Sequence, residues 1–388
     1  MKLNIAQFIG SFQDGGAESL VRDYCLLLDK TKLNIVPIVL RLTPDSANYK
    51  ILMERGIRIM PIFKSNSLPL KIIQRLNYWW YVPYRLKQIM RQEHIEVIHI
   101  HMTLLKYIYA IRFFIKRKGV RILYTCHSLP SRYLCGKFKR EGKAAAYLIK
   151  HINLQLIALH SDMRKELNEM FGINNTVVIR NGIDFNKFKY VQVSKAEIRE
   201  TIGIPGNAFV LGHIGRFSEE KNHHFLVDVF AEVYRKRPES FLLMIGDGKL
   251  VDSIKAKLKK LGLEKQAILL FHRSDIPRLL KAMDVFVFPS KFEGLGIALI
   301  EAQVAGLRCI VSDAVPEETF QTDLAIPVNL NESPEKWSEI ILDETIKGNS
   351  NGNIAYYDMN KEIKLLENLY LGNREVIIHN DYPHDVRL

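Results

Sequence analysis

Short, uninterrupted apolar runs alternating with helical stretches constrain this chain more than any other feature. In its first half the runs are 3–9 (LNIAQFI), 34–40 (NIVPIVL), 57–62 (IRIMPI), 96–101 (EVIHIH), 121–127 (RILYTCH), 154–159 (LQLIAL) and 175–180 (NTVVIR). They are rich in Ile, Leu and Val, and a strand apolar on both sides is one covered on both sides, as in a parallel sheet. Helical patterns such as 17–28 and 84–92 lie between them, supplying the crossovers that parallel strands need. The pattern restarts at 209–216 (FVLGHIGR) and continues through 240–248, 267–271, 285–290 and 308–313. Two such series in 388 residues predict an α/β protein of two doubly wound domains.

Charged and polar residues replace the apolar runs over 185–207, so the first domain is expected to span 1–190 and the second 191–354. A polar loop is expected around 346–353, and the tail beyond about 373 carries no clear pattern. The N-terminus lacks the apolar core and cleavage site of a signal peptide. No window approaches the ~18 consecutive apolar residues of a membrane span. Cys25, Cys126, Cys135 and Cys309 have no metal-like or framework-like spacing and read as reduced thiols of a cytoplasmic protein.

The net charge of +13 is unevenly placed, with 31 basic and 13 acidic residues in 1–190 against 24 and 29 in the remainder. A basic half beside a mildly acidic one suggests that the first half meets an anionic surface. Residues 68–92 mix cations with Tyr78, Trp79, Trp80 and Tyr81, and 111–121 (IRFFIKRKGVR) repeats the mixture. Such segments suit an anionic headgroup layer, although Trp79 and Trp80 would serve equally as core. Basic charge also binds nucleic acid non-specifically, but no nucleic-acid-binding module accompanies it, and none is expected as a partner.

In doubly wound sheets ligands lie beyond the carboxyl ends of the strands, which directs attention to the residues there. After the first run, Gly15 and Gly16 precede a helix and allow close backbone approach to a ligand at its positive end. The pattern is not the dinucleotide fingerprint, so no nicotinamide cofactor is indicated. His127 ends the run 121–127 and is either structural or placed to meet a hydroxyl or a proton in transfer. In GRFSEEKN (215–222), Arg216 and Lys221 form a pair of cations that would converge on a diphosphate or else belong to a solvated face. The turns at 246–248 (GDG) and at His272–Arg273 are compatible with a nucleotide and equally with plain loops.

The densest stretch is SKFEGLGIALIEAQVAGL, residues 290–307. Glu293 sits in a turn, Gly294, Leu295 and Gly296 lead into a helix, and Glu301 lies on that helix. Amides at a helix N-terminus favour phosphate oxygens by roughly 0.3–1 kcal/mol at exposed sites. Ionised carboxylates instead accept from hydroxyls. Acids beside a phosphate make sense only if each grips a neutral, hydroxylated part of the same ligand, and a nucleotide sugar is such a ligand.

With these residues the chain resembles glycosyltransferase family 4, the retaining glycosyltransferases of the GT-B fold. The similarity rests on Glu293 and Glu301, seven residues apart, within PSKFEGLGIALIEA. It extends to GGAE (15–18), RNGID (180–184), GRFSEEKN and GDG in the same order, over roughly residues 1–370. IGSFQDGGAESLVRDY most resembles transferases of bacterial exopolysaccharide or capsule synthesis. The resemblance implies two Rossmann-like domains facing across a cleft, with a helix around 355–372 crossing back to the first. It implies that Arg216 and Lys221 hold the donor diphosphate, that Glu301 takes the ribose, and that Glu293 takes the transferred sugar. Gly246, His272, Arg273 and the amides of Gly294–Gly296 and Gly16 complete the donor side. Gly15, Gly16 and His127 face the acceptor, and His127 lines the reacting centre. His272 departs from the glycine common in the family, and SDAVPE (312–317) from a glycine-rich turn.

The family needs no metal, and no D-x-D motif is present here. The implied reaction moves a sugar, most often from UDP, to a saccharide or polyprenyl-diphosphate-linked saccharide on the cytoplasmic face of the cell membrane, where the enzyme would be peripheral. A nucleotide-sugar epimerase of similar fold is the alternative.

Overall fold

The computed structural model describes residues 2–63, 68–189, 191–345 and 357–373, with the side chains of 68–79, 137 and 189 excepted. The expected loop around 346–353, the tail beyond 373 and the side chains of Tyr78 and Trp79 fall outside them.

The chain forms two compact units, one running up to Gly182 and resuming at Met359, the other spanning Ile183–Asp358. The crossings thus fall at 182/183 and 358/359 rather than 190/191 and 354/355. Packing accounts for the shift. A Cβ on Gly182 would lie 2.4 Å from Met359 Cα, so the first unit closes tightly there. One residue on, Ile183 N–H donates to the Tyr357 carbonyl at 2.6 Å, and Phe188 packs on the second unit's core.

The first unit has seven parallel strands: β1 Leu3–Ile9, β2 Leu33–Val39, β3 Met60–Pro61, β4 Val97–His101, β5 Arg121–Thr125, β6 Gln155–Ala158 and β7 Val177–Val178. Their order is 3-2-1-4-5-6-7, and Ile5 pairs with Ile35 on one side and Val97 on the other. The runs at 57–62 and 175–180 shrink to two-residue strands at the two edges, where a strand has one neighbour instead of two. The helix expected at 84–92 spans Leu68–Gln92 and passes through Pro83. The returning helix Met359–Leu371 places Met359, Ile363, Leu366 and Tyr370 on one helical face, and all four are buried in the first unit's core.

The second unit has six parallel strands: β8 Phe209–Ile214, β9 Ser240–Ile245, β10 Ala267–Leu270, β11 Val285–Phe288, β12 Arg308–Ser312 and β13 Ala325–Val328, ordered 10-9-8-11-12-13. β13, AIPV, was not anticipated; Pro327 argues against a strand, and an edge position tolerates it. Two apolar clusters, one centred on Trp337 and Phe230 and one on Phe286 and Phe288, pack in the unit. In each sheet the order reverses beside the first strand, at β1/β4 and at β8/β11. Such a switch point opens a crevice at the strand ends.

Candidate functional site

In the second unit the loop after β8 lies directly on the turn after β9. Phe217 N–H donates to the Asp247 carbonyl at 2.9 Å, and Gly215 N–H to that of Ile245 at 3.0 Å. Gly246 has φ +148°, and a Cβ there would sit 2.1 Å from the Gly215 carbonyl oxygen. The GDG turn is therefore glycine because backbone lies on backbone, which seats residues 215–217.

From that seat the loop presents Arg216, exposed, and Lys221, at the end of the 3-10 turn Glu219–Lys221. Lys291 N–H, beyond β11, donates to the Glu220 carbonyl at 2.8 Å and joins the two loops of the switch point. As a result Lys221 Nζ lies 2.5 Å from Glu293 Oε1 and 4.9 Å from the centre of the Phe288 ring, in a largely buried ion pair. Charge-assisted contacts of this kind are the strong ones. Gly296, at φ +68°, starts the helix Ile297–Val304, with its hypothetical Cβ 3.6 Å from Glu293 Cγ. Gly294 leads into that turn, and Leu295 turns its side chain into the core, so its main chain is what the turn offers. Glu301 lies half-buried one turn along the helix.

Arg216 and Lys221 differ in their contacts. Lys221 is engaged by Glu293, whereas the Arg216 guanidinium has no ion-pair partner among the described residues. Arg273 is held in a fork by Asp275, at 2.7 and 2.6 Å, which raises its pKa and gives it a local role. His272 is exposed with φ +52°, a conformation that glycine adopts at no steric cost. Its ring stands 3.9 Å from Asp247.

His213 on β8 was not anticipated. It is fully buried, its Nδ1–H donates to the Val287 carbonyl at 2.9 Å, and burial pushes its pKa down to about 4. Nε2 is then a bare acceptor lying 3.0 Å from where a Gly215 Cβ would be, beneath the cation-bearing loop. A histidine inside the apolar run FVLGHI was the available signal.

In the first unit Gly15 precedes the helix Gly16–Leu27 in extended conformation, and no side chain caps its first turn. The preceding loop is pinned by Ser46 Oγ–H to the Phe12 carbonyl at 2.5 Å and by Asn48 Nδ2 to that of Gln13 at 2.8 Å. His127 stands two residues beyond β5, half-buried. Its Nε2 lies 2.9 Å from His101 Nδ1, and His101 Nε2 lies 2.9 Å from Gln7 Oε1. Gln7 Nε2–H donates to the Tyr370 hydroxyl at 2.6 Å. The same hydroxyl is 2.6 Å from His99 Nδ1, and His99 Nε2 is 2.7 Å from Thr125 Oγ1. Desolvation holds all three imidazoles below their ordinary pKa, His99 and His101 well below. His99 and His101, two apart on β4, were visible in VIHIH as polar residues on one face of a buried strand. Gln7 and Tyr370 carried no local signal.

Two family models match the chain in tandem: "Glycosyltransferase Family 4" over residues 14–187 and "Glycosyl transferases group 1" over 194–321. The chain is 26% identical over 347 residues to EpsF of Bacillus subtilis (strain 168), named as a glycosyltransferase, covering 87% of this chain and 86% of that one. It is 30% identical over 240 residues to the UDP-Gal:alpha-D-GlcNAc-diphosphoundecaprenol alpha-1,3-galactosyltransferase of Escherichia coli, covering 59% and 60%. In fold it matches Anabaena HepE, solved in complex with UDP-glucose, with a TM-score of 0.74 at 19% identity over 96% of this chain and 100% of that one. These matches do not favour an epimerase.

Proposed function

Because this chain belongs to the family 4 glycosyltransferases of GT-B fold, we propose that it transfers a sugar from UDP to a hydroxyl of a lipid-linked saccharide, with retention at the anomeric carbon. The contact that carries this reading is Lys221 Nζ against Glu293 Oε1 at the start of the helix Ile297–Val304. It sets a cation and helix amides for a diphosphate beside a carboxylate for sugar hydroxyls. Arg216 adds a second cation, and Glu301 meets the ribose. The first unit takes the acceptor, with His127 at the reacting centre. The Escherichia coli relative is named for UDP-galactose and a diphosphoundecaprenol-linked acceptor, and HepE holds UDP-glucose, which supports the donor and acceptor classes.

In this mechanism the bond from the anomeric carbon to the β-phosphate oxygen breaks as charge develops on the leaving diphosphate, stabilised by Lys221, Arg216 and the amides. The acceptor oxygen bonds to the same face of that carbon, and its proton passes to the departing phosphate. Glu293 binds the sugar and forms no bond to it; a trapped glycosyl adduct on Glu293 would overturn that assignment. No metal takes part.

Among the described residues no helix is long and apolar enough to cross a membrane. The first unit nevertheless exposes Trp80, Tyr84 and Phe113. Arg112 lies 4.4 Å from the rings of both Tyr109 and Phe113, Arg91 lies 5.2 Å from that of Phe114, and Lys116–Lys118 follow. We assign this basic-aromatic surface to the anionic inner face of the cell membrane.

Nucleotide binding tests the donor site. UDP is expected to bind in preference to GDP, ADP and CDP, and Glu301→Ala to weaken it about tenfold, the loss of a charged hydrogen bond. Equal binding by wild type and variant would remove Glu301 from the site. Flotation with anionic vesicles at low salt, lost in Phe113→Ala, tests the membrane assignment.

A further inference from the structure

The polar chain in the first unit is closed at one end and open at the other. Thr125, His99, Tyr370, Gln7 and His101 are all buried, and His127 is half-buried. Each hydrogen bond in it constrains the next. Gln7 Nε2 can only donate, so the Tyr370 oxygen accepts there and its own proton goes to His99 Nδ1. His99 then carries its proton on Nε2 and donates to Thr125 Oγ1. In the other direction, Gln7 Oε1 can only accept, so His101 is protonated on Nε2 and bare on Nδ1. His127 must therefore donate from Nε2 to His101 Nδ1, which leaves its own Nδ1 as a hydrogen-bond acceptor.

The one other arrangement that satisfies every contact reverses all of them. The Gln7 amide turns over, Tyr370 donates to it, each histidine exchanges its protonated nitrogen, and His127 then offers an N–H from Nδ1. The protonated nitrogen of His127 is thus coupled through three hydrogen bonds, by way of His101 and Gln7, to the Tyr370 hydroxyl on the returning helix. That helix is anchored at the same point, because the Arg121 guanidinium donates to the Tyr370 carbonyl. None of the side-chain polar atoms of Gln7, His99, His101, Thr125 and Tyr370 is left buried without a partner. Of the two arrangements, the seating of the Gln7 amide, with Nε2 on the Tyr370 hydroxyl and Oε1 on His101, selects the first.

We propose that Tyr370, acting through Gln7 and His101, is a positioning residue that holds His127 in the tautomer protonated on Nε2, so that Nδ1 accepts from whatever His127 meets. The tautomer rests on the geometry of the first unit alone; its bearing on catalysis rests on the glycosyltransferase reading above.

The test is nitrogen NMR of histidine-labelled full-length protein, wild type and Tyr370→Phe, paired with steady-state kinetics. Tyr370→Phe keeps the ring in the core and removes only the hydroxyl. The wild type is expected to show His127 protonated on Nε2, and the variant a mixture of both tautomers at His101 and His127. Turnover should fall about tenfold in the variant while the donor KM stays nearly constant, as for a lost orientation of one proton-transfer or hydrogen-bonding group. Should Tyr370→Phe not fold, Thr125→Val removes the acceptor at the far end and is expected to drive the chain toward its reversed arrangement. A wild-type His127 protonated on Nδ1, or a tautomer unmoved in the folded variant, overturns the proposal. A tautomer that shifts in a protein without transferase activity on any nucleotide sugar upholds the network and overturns the functional reading instead.

Discussion

In the first unit the groups at the strand ends are neutral rings and amides enclosed in the sheet, joined from Thr125 to His127. In the second they are charges carried on loops, Lys221 against Glu293, seated where backbone meets backbone at Gly215 and Gly246. On the proposed function, the loops over the switch point would supply the fixed positive charge and amides that a diphosphate needs. The buried imidazoles would likewise supply the oriented, uncharged hydrogen bond that an acceptor hydroxyl needs. The two units share one topology and differ in what fills their strand ends, so the fold supplies the position and the side chains supply the chemistry.

The sharpest way to break this comparison is to remove charge from the second unit alone. Lys221→Met should reduce kcat/KM for the nucleotide sugar on the order of 10²–10³-fold, as for loss of a group aimed at developing charge. The histidine NMR signals of the first unit should not move. A loss of threefold or less would deny the loop its role at the diphosphate.

Glycines sharpen the contrast next. Gly246→Ala forces a Cβ to within 2.1 Å of the Gly215 oxygen, at a φ that side chains rarely adopt. It should destabilise the second unit by roughly 1–3 kcal/mol or more. Gly10→Ala, at a strand end of the first unit with nothing within 4 Å of the new Cβ, should change stability by no more than about 1 kcal/mol. Urea unfolding followed through the buried Trp337 measures the first, and far-ultraviolet circular dichroism the second. Equal effects would mean that the close approach at Gly246 relaxes.

Acid affects both units through histidines kept neutral by burial. Their folded pKa values lie below the unfolded value near 6.5, so the unfolded chain takes up protons first as pH falls. Stability is complete above about pH 6.5 and declines below it, by about 1.4 kcal/mol per pH unit for each such histidine until its folded pKa is reached. For His213 that limit is about 4. Denaturant titrations between pH 7 and 4 should show the loss, and a flat profile would mean that the rings are already charged or solvated. The smallest expected effect is none: in the proposed mechanism, where cations and amides carry the diphosphate's charge, transferase activity should survive EDTA unchanged. A loss restored by magnesium would assign that charge to a metal.

Most of the fold was legible because buried parallel strands announce themselves as local apolar runs; 3–9 is β1 to the residue. Legibility failed where neighbours decide. The helix Leu68–Gln92 runs through Pro83, which reads as a break, and β13 contains a proline that only an edge strand accepts. At the candidate site the acids, glycines and cations of the second unit stood in short motifs, but their pairing did not. Arg216 and Lys221 read from sequence as two cations that would converge on a diphosphate or belong to a solvated face; the contact of Lys221 with Glu293, 72 residues away, was in neither reading.

By itself, then, the sequence determined the α/β class, the two-unit division and the residue types at the strand ends, since hydrophobic period and turn chemistry are properties of contiguous residues. Only the tertiary structure decided that Gln7 and Tyr370, 363 residues apart, share a hydrogen bond, and that Lys221 faces Glu293. Such contacts depend on which strands become neighbours and where a returning helix lands, and nothing within a local window of sequence carries that information.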